Sequence, residues 1–113
     1  MSGGASPACP IGIRPRAVED IERHASYLEE NAAPDVASRF RRAIMDALDQ
    51  IAFMPQAGAP RDVGNTRLTG LRMFVVRDFR KYLVFYVSPD GYVDIVRILH
   101  GTQDVMSILE DEE

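Results

Sequence analysis

The side chains best suited to chemistry lie between Arg61 and Gly101. Seven basic residues (Arg61, Arg67, Arg72, Arg77, Arg80, Lys81, Arg97) stand there against four acidic ones (Asp62, Asp78, Asp90, Asp94). Arginine supplies 12 of the 13 cations in the chain, and its planar fork suits paired contacts with carboxylate or phosphate. Arg97 and His100 sit on or just beyond a segment, Tyr92–Leu99, that reads as a strand. Side chains alternate along a strand, so Arg97 should share a face with Ile95 and Leu99, opposite Asp94, Val96 and Ile98. If helices cover the Val96/Ile98 face, Arg97 points to the open side of the sheet and is available to a partner. The competing role is structural, an arginine paired with Asp94 or another acid to hold the sheet edge.

His100 could serve as a general acid or base, because imidazole titrates near neutrality. Capping the strand end and bonding a backbone group is the more ordinary role. Arg72, Arg77, Arg80 and Lys81 could extend a basic patch around Arg97, or simply guard the strands against edge aggregation. Arg72 and Arg77 are five positions apart and fall on opposite faces of a regular strand, which favours Arg77 as the companion of Arg97. His24, among charged residues on a helix, reads as solvated. Cys9 falls in a start expected to be disordered, no cluster has metal-ligand spacing, and no phosphate-cradling glycine loop follows a strand. No cofactor is expected.

The elements that must position these groups are legible in the patterning. Lys81–Val87 (KYLVFYV), the turn Ser88-Pro89-Asp90-Gly91 and the returning run Tyr92–Leu99 make a β-hairpin, with proline and glycine at the turn. The unbroken apolar run Tyr82–Val87 suits a central strand covered on both faces. Leu71–Arg77 adds a third strand, giving an antiparallel meander. Upstream, Pro15 opens a helical pattern to about Asn31, with Val18, Ile21, Ala25 and Leu28 as its apolar stripe. Pro34 and Asp35 restart the pattern, which runs through Val36, Phe40, Ile44, Ala47 or Leu48, and Ile51 to Pro55. The short break at Ala32–Ala33 implies an antiparallel helical hairpin. Ile11 and Ile13 flank Gly12 as a weak edge strand, and the Gly- and Pro-rich stretch Pro55–Thr66 reads as loop. After Gly101, Thr102 can cap a short helix carrying Val105, Met106 and Leu109.

The 113 residues suffice for one domain that buries roughly two-thirds of its unfolded surface. Residues 10–110 are expected to form that domain, with residues 1–9 a disordered extension and the acidic residues 111–113 a frayed tail. The fold class is α+β, in the order β-α-α-β-β-β(-α), a two-helix hairpin on a small antiparallel sheet. Apolar and charged fractions of 46% and 27% are ordinary for a soluble protein. The net charge of −4 argues against general nucleic-acid binding. A single cysteine, no membrane-length apolar run and no secretory pattern at the start make a cytoplasmic protein the expectation.

Specific residues then meet a known family. These are Pro15-x-Ala17-x-x-Asp20-Ile21 at the first helix, Pro55 with Gly58, Gly70-Leu71-Arg72, Tyr82-Leu83-Val84-Phe85-Tyr86, and Asp94-Ile95-Val96-Arg97-Ile98-Leu99-His100-Gly101. Together they resemble the ParE/RelE superfamily of bacterial toxins, the ParE branch most closely, over about Ile11 to Asp104. Two departures stand out: Arg14 replaces the usual Ser/Thr helix cap, and the C-terminus is acidic rather than basic. The resemblance implies a toxin of a type II toxin–antitoxin module, neutralised by a ParD-like antitoxin in a hetero-oligomer and inhibiting DNA gyrase by binding. RelE-branch relatives instead cleave messenger RNA on the ribosome, using lysines, arginines and a tyrosine near the C-terminus. Here Lys81 is the single lysine and no tyrosine follows Tyr92, so a binding inhibitor is expected over an enzyme. A toxin fold retained only as a partner scaffold is the third alternative. Target- or antitoxin-binding roles are expected for Arg72, Arg77, Lys81, Arg97 and His100.

Overall fold

The computed structural model describes residues 8–113, and most of the extension expected to be disordered lies outside them. Strand β1 (Ile11–Ile13) leads into helix α1 (Pro15–Asn31), then α2 (Pro34–Phe53), a two-residue strand β2 (Ala59–Pro60), β3 (Arg72–Val75), β4 (Tyr82–Val87), β5 (Val93–His100) and helix α3 (Val105–Glu110). The sheet order is β1-β5-β4-β3-β2. β2 to β5 pair antiparallel, whereas β1 runs parallel to β5, so the five-stranded sheet is mixed rather than purely antiparallel. A parallel neighbour needs a long crossover. The helical hairpin lies within the connection that brings the chain from β1 back to its partner. β2 falls inside the stretch expected to be loop; its Ala59 and Pro60 pair with Met73 and Arg72 at the sheet edge, where proline is tolerated.

Helices α1 and α2 each begin with a proline, where the missing N–H costs nothing. Their apolar stripes bury Ala17, Ala25, Phe40, Ile44, Leu48 and Ile51 against Val84, Tyr86, Ile95 and Ile98 of the sheet. Val18, expected in the stripe, is exposed, and Ala17 takes the inward position. The opposite sheet face is also closed. Val63, Leu68 and Leu71 from the connection before β3, with Leu109 from α3, cover Phe85, Val87, Val96 and Leu99. The open sheet face expected for partner binding therefore does not exist: the monomer seals both sides.

Tyr86 pins the connection after α2. Its hydroxyl accepts from the Gly58 N–H at 2.8 Å and donates to the Pro55 carbonyl at 2.7 Å. A Cβ at position 58 would lie 2.6 Å from that hydroxyl and 2.8 Å from the ring, which accounts for the glycine. Tyr86→Phe should orphan a buried N–H and carbonyl and cost about 1–3 kcal/mol, read as a lower urea midpoint with an unchanged slope.

The two ends also depart from expectation. Cys9 donates its N–H to the Ala52 carbonyl at 2.8 Å and packs on the core, so the extension is anchored by its last residue. At the other end Glu112 is buried rather than frayed. Asp104, not Thr102, caps α3, accepting from Ser107 N–H at 3.4 Å.

Candidate functional site

β1 stops at Ile13, and the Arg14 N–H donates to the Ile95 carbonyl at 3.0 Å, leaving the outer edge of β5 without a strand beyond that point. Two side chains of α1 complete it. Asp20 and His24, one turn apart on the same helix face, take the two polar groups of Ile98: its N–H donates to Asp20 Oδ2 at 2.9 Å, and its carbonyl accepts from His24 Nε2 at 2.9 Å. Both side chains are buried, Asp20 completely. The solvated role expected for His24 is thus overturned. Backbone groups removed from water require partners, and here a helix supplies them in place of a strand.

Arg97 belongs to the same construction. A β-bulge pairs Phe85 with Arg97 and Tyr86 with Ile95, leaving Val96 as the extra residue. The bulge breaks the two-residue alternation, so Ile95 and Ile98 meet the helices while Val96 and Leu99 meet the other cluster. Arg97, expected on an open face, is 93% buried and faces acids. Its Nε and Nη2 donate to Asp20 Oδ2 and Oδ1 at 2.7 and 2.9 Å, and its Nη1 donates to Glu112 Oε1 at 2.9 Å. Arg23 adds a contact to Asp20 from the solvent side. Burial alone would raise the Asp20 pKa, but the bonds from Arg97, Ile98 N–H and Arg23 outweigh it and hold the carboxyl below its usual range. The hydrogen bond to Asp20, with that to Glu112, raises Arg97 above the usual arginine value. Asp94, the partner suggested for Arg97, is instead held by Arg14 at 2.9 Å. The residue standing in place of a Ser/Thr cap ties the helix start to β5.

His100 lies at the end of β5 in a concavity of about 340 Å3 with Arg23, His24, Tyr27, Tyr82, Thr102 and Gln103. Its ring stands edge-on to Tyr82 at 4.8 Å between centroids, and Tyr82 stands edge-on to His24 at 5.0 Å. The Thr102 N–H donates to His100 Nδ1 at 3.1 Å, so in the neutral ring the proton resides on Nε2. Burial lowers the pKa of His24, opposed by its bond to Ile98; Arg23 and His100 lower it further, and Asp20 raises it.

The depressed His24 pKa has a pH consequence. Unfolded His24 titrates near its ordinary value of 6.5, whereas folded His24 resists protonation. As pH falls below about 6.5 the unfolded state binds more protons, so stability declines until the lower folded pKa is passed. Melting temperature should fall between pH 7 and pH 5. His24→Gln, which keeps an N–H donor for Ile98, should flatten that decline.

The remaining expected residues do not converge. Arg72 is half-buried and donates to the Gly58 and Gln56 carbonyls at 2.7 and 3.3 Å. Arg77 is exposed beside Asp46, Asp49 and Asp78 in a separate concavity. Lys81 is exposed at the start of β4, and its carbonyl accepts from Gly101 N–H at 2.7 Å. Lys81 and His100 are therefore neighbours across one end of the hairpin, while Arg72, Arg77 and Arg97 serve three different places. Sequence reasoning missed Asp20, His24 and Glu112. A signal existed for the first two: they are polar residues within the three-and-four spacing of Ala17, Ile21 and Leu28.

Among the described residues no group of three or more His, Cys, Asp or Glu side chains could hold a metal ion, and no helix is long and apolar enough to cross a membrane.

A small α+β domain with a helical hairpin on a sheet whose C-terminal edge is completed by side chains of the first helix is the architecture these contacts define. The family described as the ParE toxin of the type II toxin–antitoxin system parDE matches residues 11–105, and the chain belongs to it. No curated protein sequence matches. A solved structure, described as a chromosomal ParDE TA system from P. aeruginosa, superposes with a TM-score of 0.67 at 15% identity, covering 84% of this chain and 98% of that one. That likeness supports the α+β fold independently of sequence.

Proposed function

We propose that this ParE-family toxin acts by binding, that its target is DNA gyrase, and that a ParD-like antitoxin neutralises it. Family membership over residues 11–105 is the observation that carries this reading. With both sheet faces closed, the contact surface has to lie on the helices and the rim. Tyr27, Met45 and Phe53 are 59, 53 and 65% exposed on α1 and α2, large apolar groups that an amphipathic partner helix could cover. An antitoxin segment folding onto them would neutralise by occlusion. Supercoiling by purified gyrase, assayed at a stoichiometric amount of the chain, should be blocked and then restored by the antitoxin. Undisturbed supercoiling removes gyrase as the target.

One observation favours a second reading, cleavage of messenger RNA on the ribosome. Arg23, Tyr27, Tyr82 and His100 share a concavity, and cation, hydroxyl and imidazole are the groups phosphodiester cleavage requires. Purified translating ribosomes separate the two: rapid cutting of the A-site codon would establish the nuclease reading and displace the gyrase one.

A further inference from the structure

We propose that the outer edge of the Arg97 guanidinium is a carboxylate-exchange site, filled by the chain's own Glu112 in the free protein and by an acidic segment of a bound protein partner in a complex. The inference is independent of which target the toxin attacks.

The two edges of Arg97 are held very differently. Asp20 takes the inner edge with both oxygens, from the middle of a 17-residue helix, and also serves Ile98 N–H. Glu112 takes the outer edge through one oxygen, from a tail two residues beyond the end of α3. Its flanking residues Asp111 and Glu113 are exposed, and the backbone at this point is tied by two bonds, Asn65 Nδ2 to the Glu112 carbonyl at 2.7 Å and the Glu112 N–H to the Leu109 carbonyl at 3.2 Å. Leu109, by contrast, is fully buried and holds α3 in place. Exchange therefore needs residues 111–113 to swing away, breaking those two bonds while α3 stays in place.

Charge makes an empty outer edge unfavourable. Arg97 and Arg23 on Asp20 leave one net positive charge, which Glu112 neutralises. Removing a buried charge's partner is strongly unfavourable, whereas replacing one carboxylate by another preserves the balance. The resident group identifies the ligand class, a side-chain carboxylate on a chain that can reach into a cleft. Such a cleft adjoins it, with about 500 Å3 between Arg14, Pro15, Arg16 and the tail itself. Arg16 is exposed and takes part in none of the ion pairs among the described residues. An incoming acidic segment would thus meet a second guanidinium at the entrance.

The probe is synthetic hexaglutamate, with hexaglutamine as control, titrated into the full chain and into Glu112→Ala. Binding is followed by calorimetry and by the Arg97 Nη1–H resonance, the outer-edge donor, in 15N spectra at low temperature. Glu112→Ala should bind hexaglutamate at least about tenfold more tightly than the unaltered chain, because no resident carboxylate competes. Saturation should return the Arg97 resonance to its position in the unaltered chain, and hexaglutamine should do neither. Equal binding by both proteins overturns the proposal, as does binding that leaves the Arg97 resonance unmoved, the mark of a diffuse polyanion effect. If Glu112→Ala does not fold, Glu112→Gln carries the same comparison. Failure of both to fold would make Glu112 an irreplaceable structural group and also overturn exchange.

Discussion

Asp20→Ala should be among the most destabilising single substitutions in the chain, at about 3–5 kcal/mol, the range for removing one partner of a buried ion pair. It strands Arg97 on its inner edge and leaves the Ile98 N–H without an acceptor where no strand exists to replace it. In a domain of this size the loss corresponds to a fall in melting temperature of about 10 °C or more. Arg97→Ala should cost a similar amount, because it leaves Glu112 unpaired and Asp20 buried with Arg23 as its one remaining cation. The double substitution should then cost clearly less than the two single losses added together. Arg97 is buried rather than available to a partner, so its truncation should weaken the fold itself and not partner binding alone. The depressed Asp20 pKa fixes the pH window. The carboxylate's contribution is complete above its ordinary value of 3.8 and declines as pH falls below that toward the lower folded value. A loss under about 1 kcal/mol for Asp20→Ala at pH 7, the size of an exposed pair, would refute the role assigned to this network.

Phe40→Ala should produce a loss of similar size, about 3–5 kcal/mol, by a different route. Phe40 is fully buried at the centre of an aromatic group, edge-on to Tyr82 at 4.9 Å, Phe79 at 5.4 Å and His24 at 6.2 Å between centroids. Truncation removes both the apolar transfer energy and these contacts, and leaves a cavity between α2 and the start of β4. Because two of these rings, Tyr82 and His24, wall the His100 concavity and rest on Phe40, the variant should also expose His24 and shift its titration upward toward the ordinary value. Urea unfolding gives the energy and ring-proton NMR the titration. An unchanged His24 titration would detach Phe40 from that concavity.

Much of the architecture was readable because it rests on local periodicity. Proline at the start of each helix, the three-and-four spacing of Phe40, Ile44, Leu48 and Ile51, and the Ser88–Gly91 turn between two apolar runs each encode an element within a few residues. The Arg-Ile-Leu-His segment likewise marked the family without any contact being known. What escaped depended on residues far apart in the chain. Asp20 meets Arg97 across 77 positions, and no pattern around either residue records the other. Arg97 does lie on the face opposite the helical hairpin, beside Phe85 and Leu99, but that face is closed by α3, its tail and the connection before β3. The bulge misplaced Ile95 and Val96 instead, because alternation presumes a regular strand. One extra residue at Val96 inverts the parity of the strand on either side of it.

The amino-acid order by itself thus determined which segments are helical or extended, since apolar spacing and proline and glycine placement act over a few residues. It determined the toxin family as well, through short runs of residue types. Only the tertiary structure decided that both sheet faces are closed, that a helix carboxylate and imidazole finish the edge of β5, and that Glu112 sits on Arg97. Burial and charge pairing depend on which groups meet in space, and a backbone edge reveals its missing partner only once the sheet has been assembled.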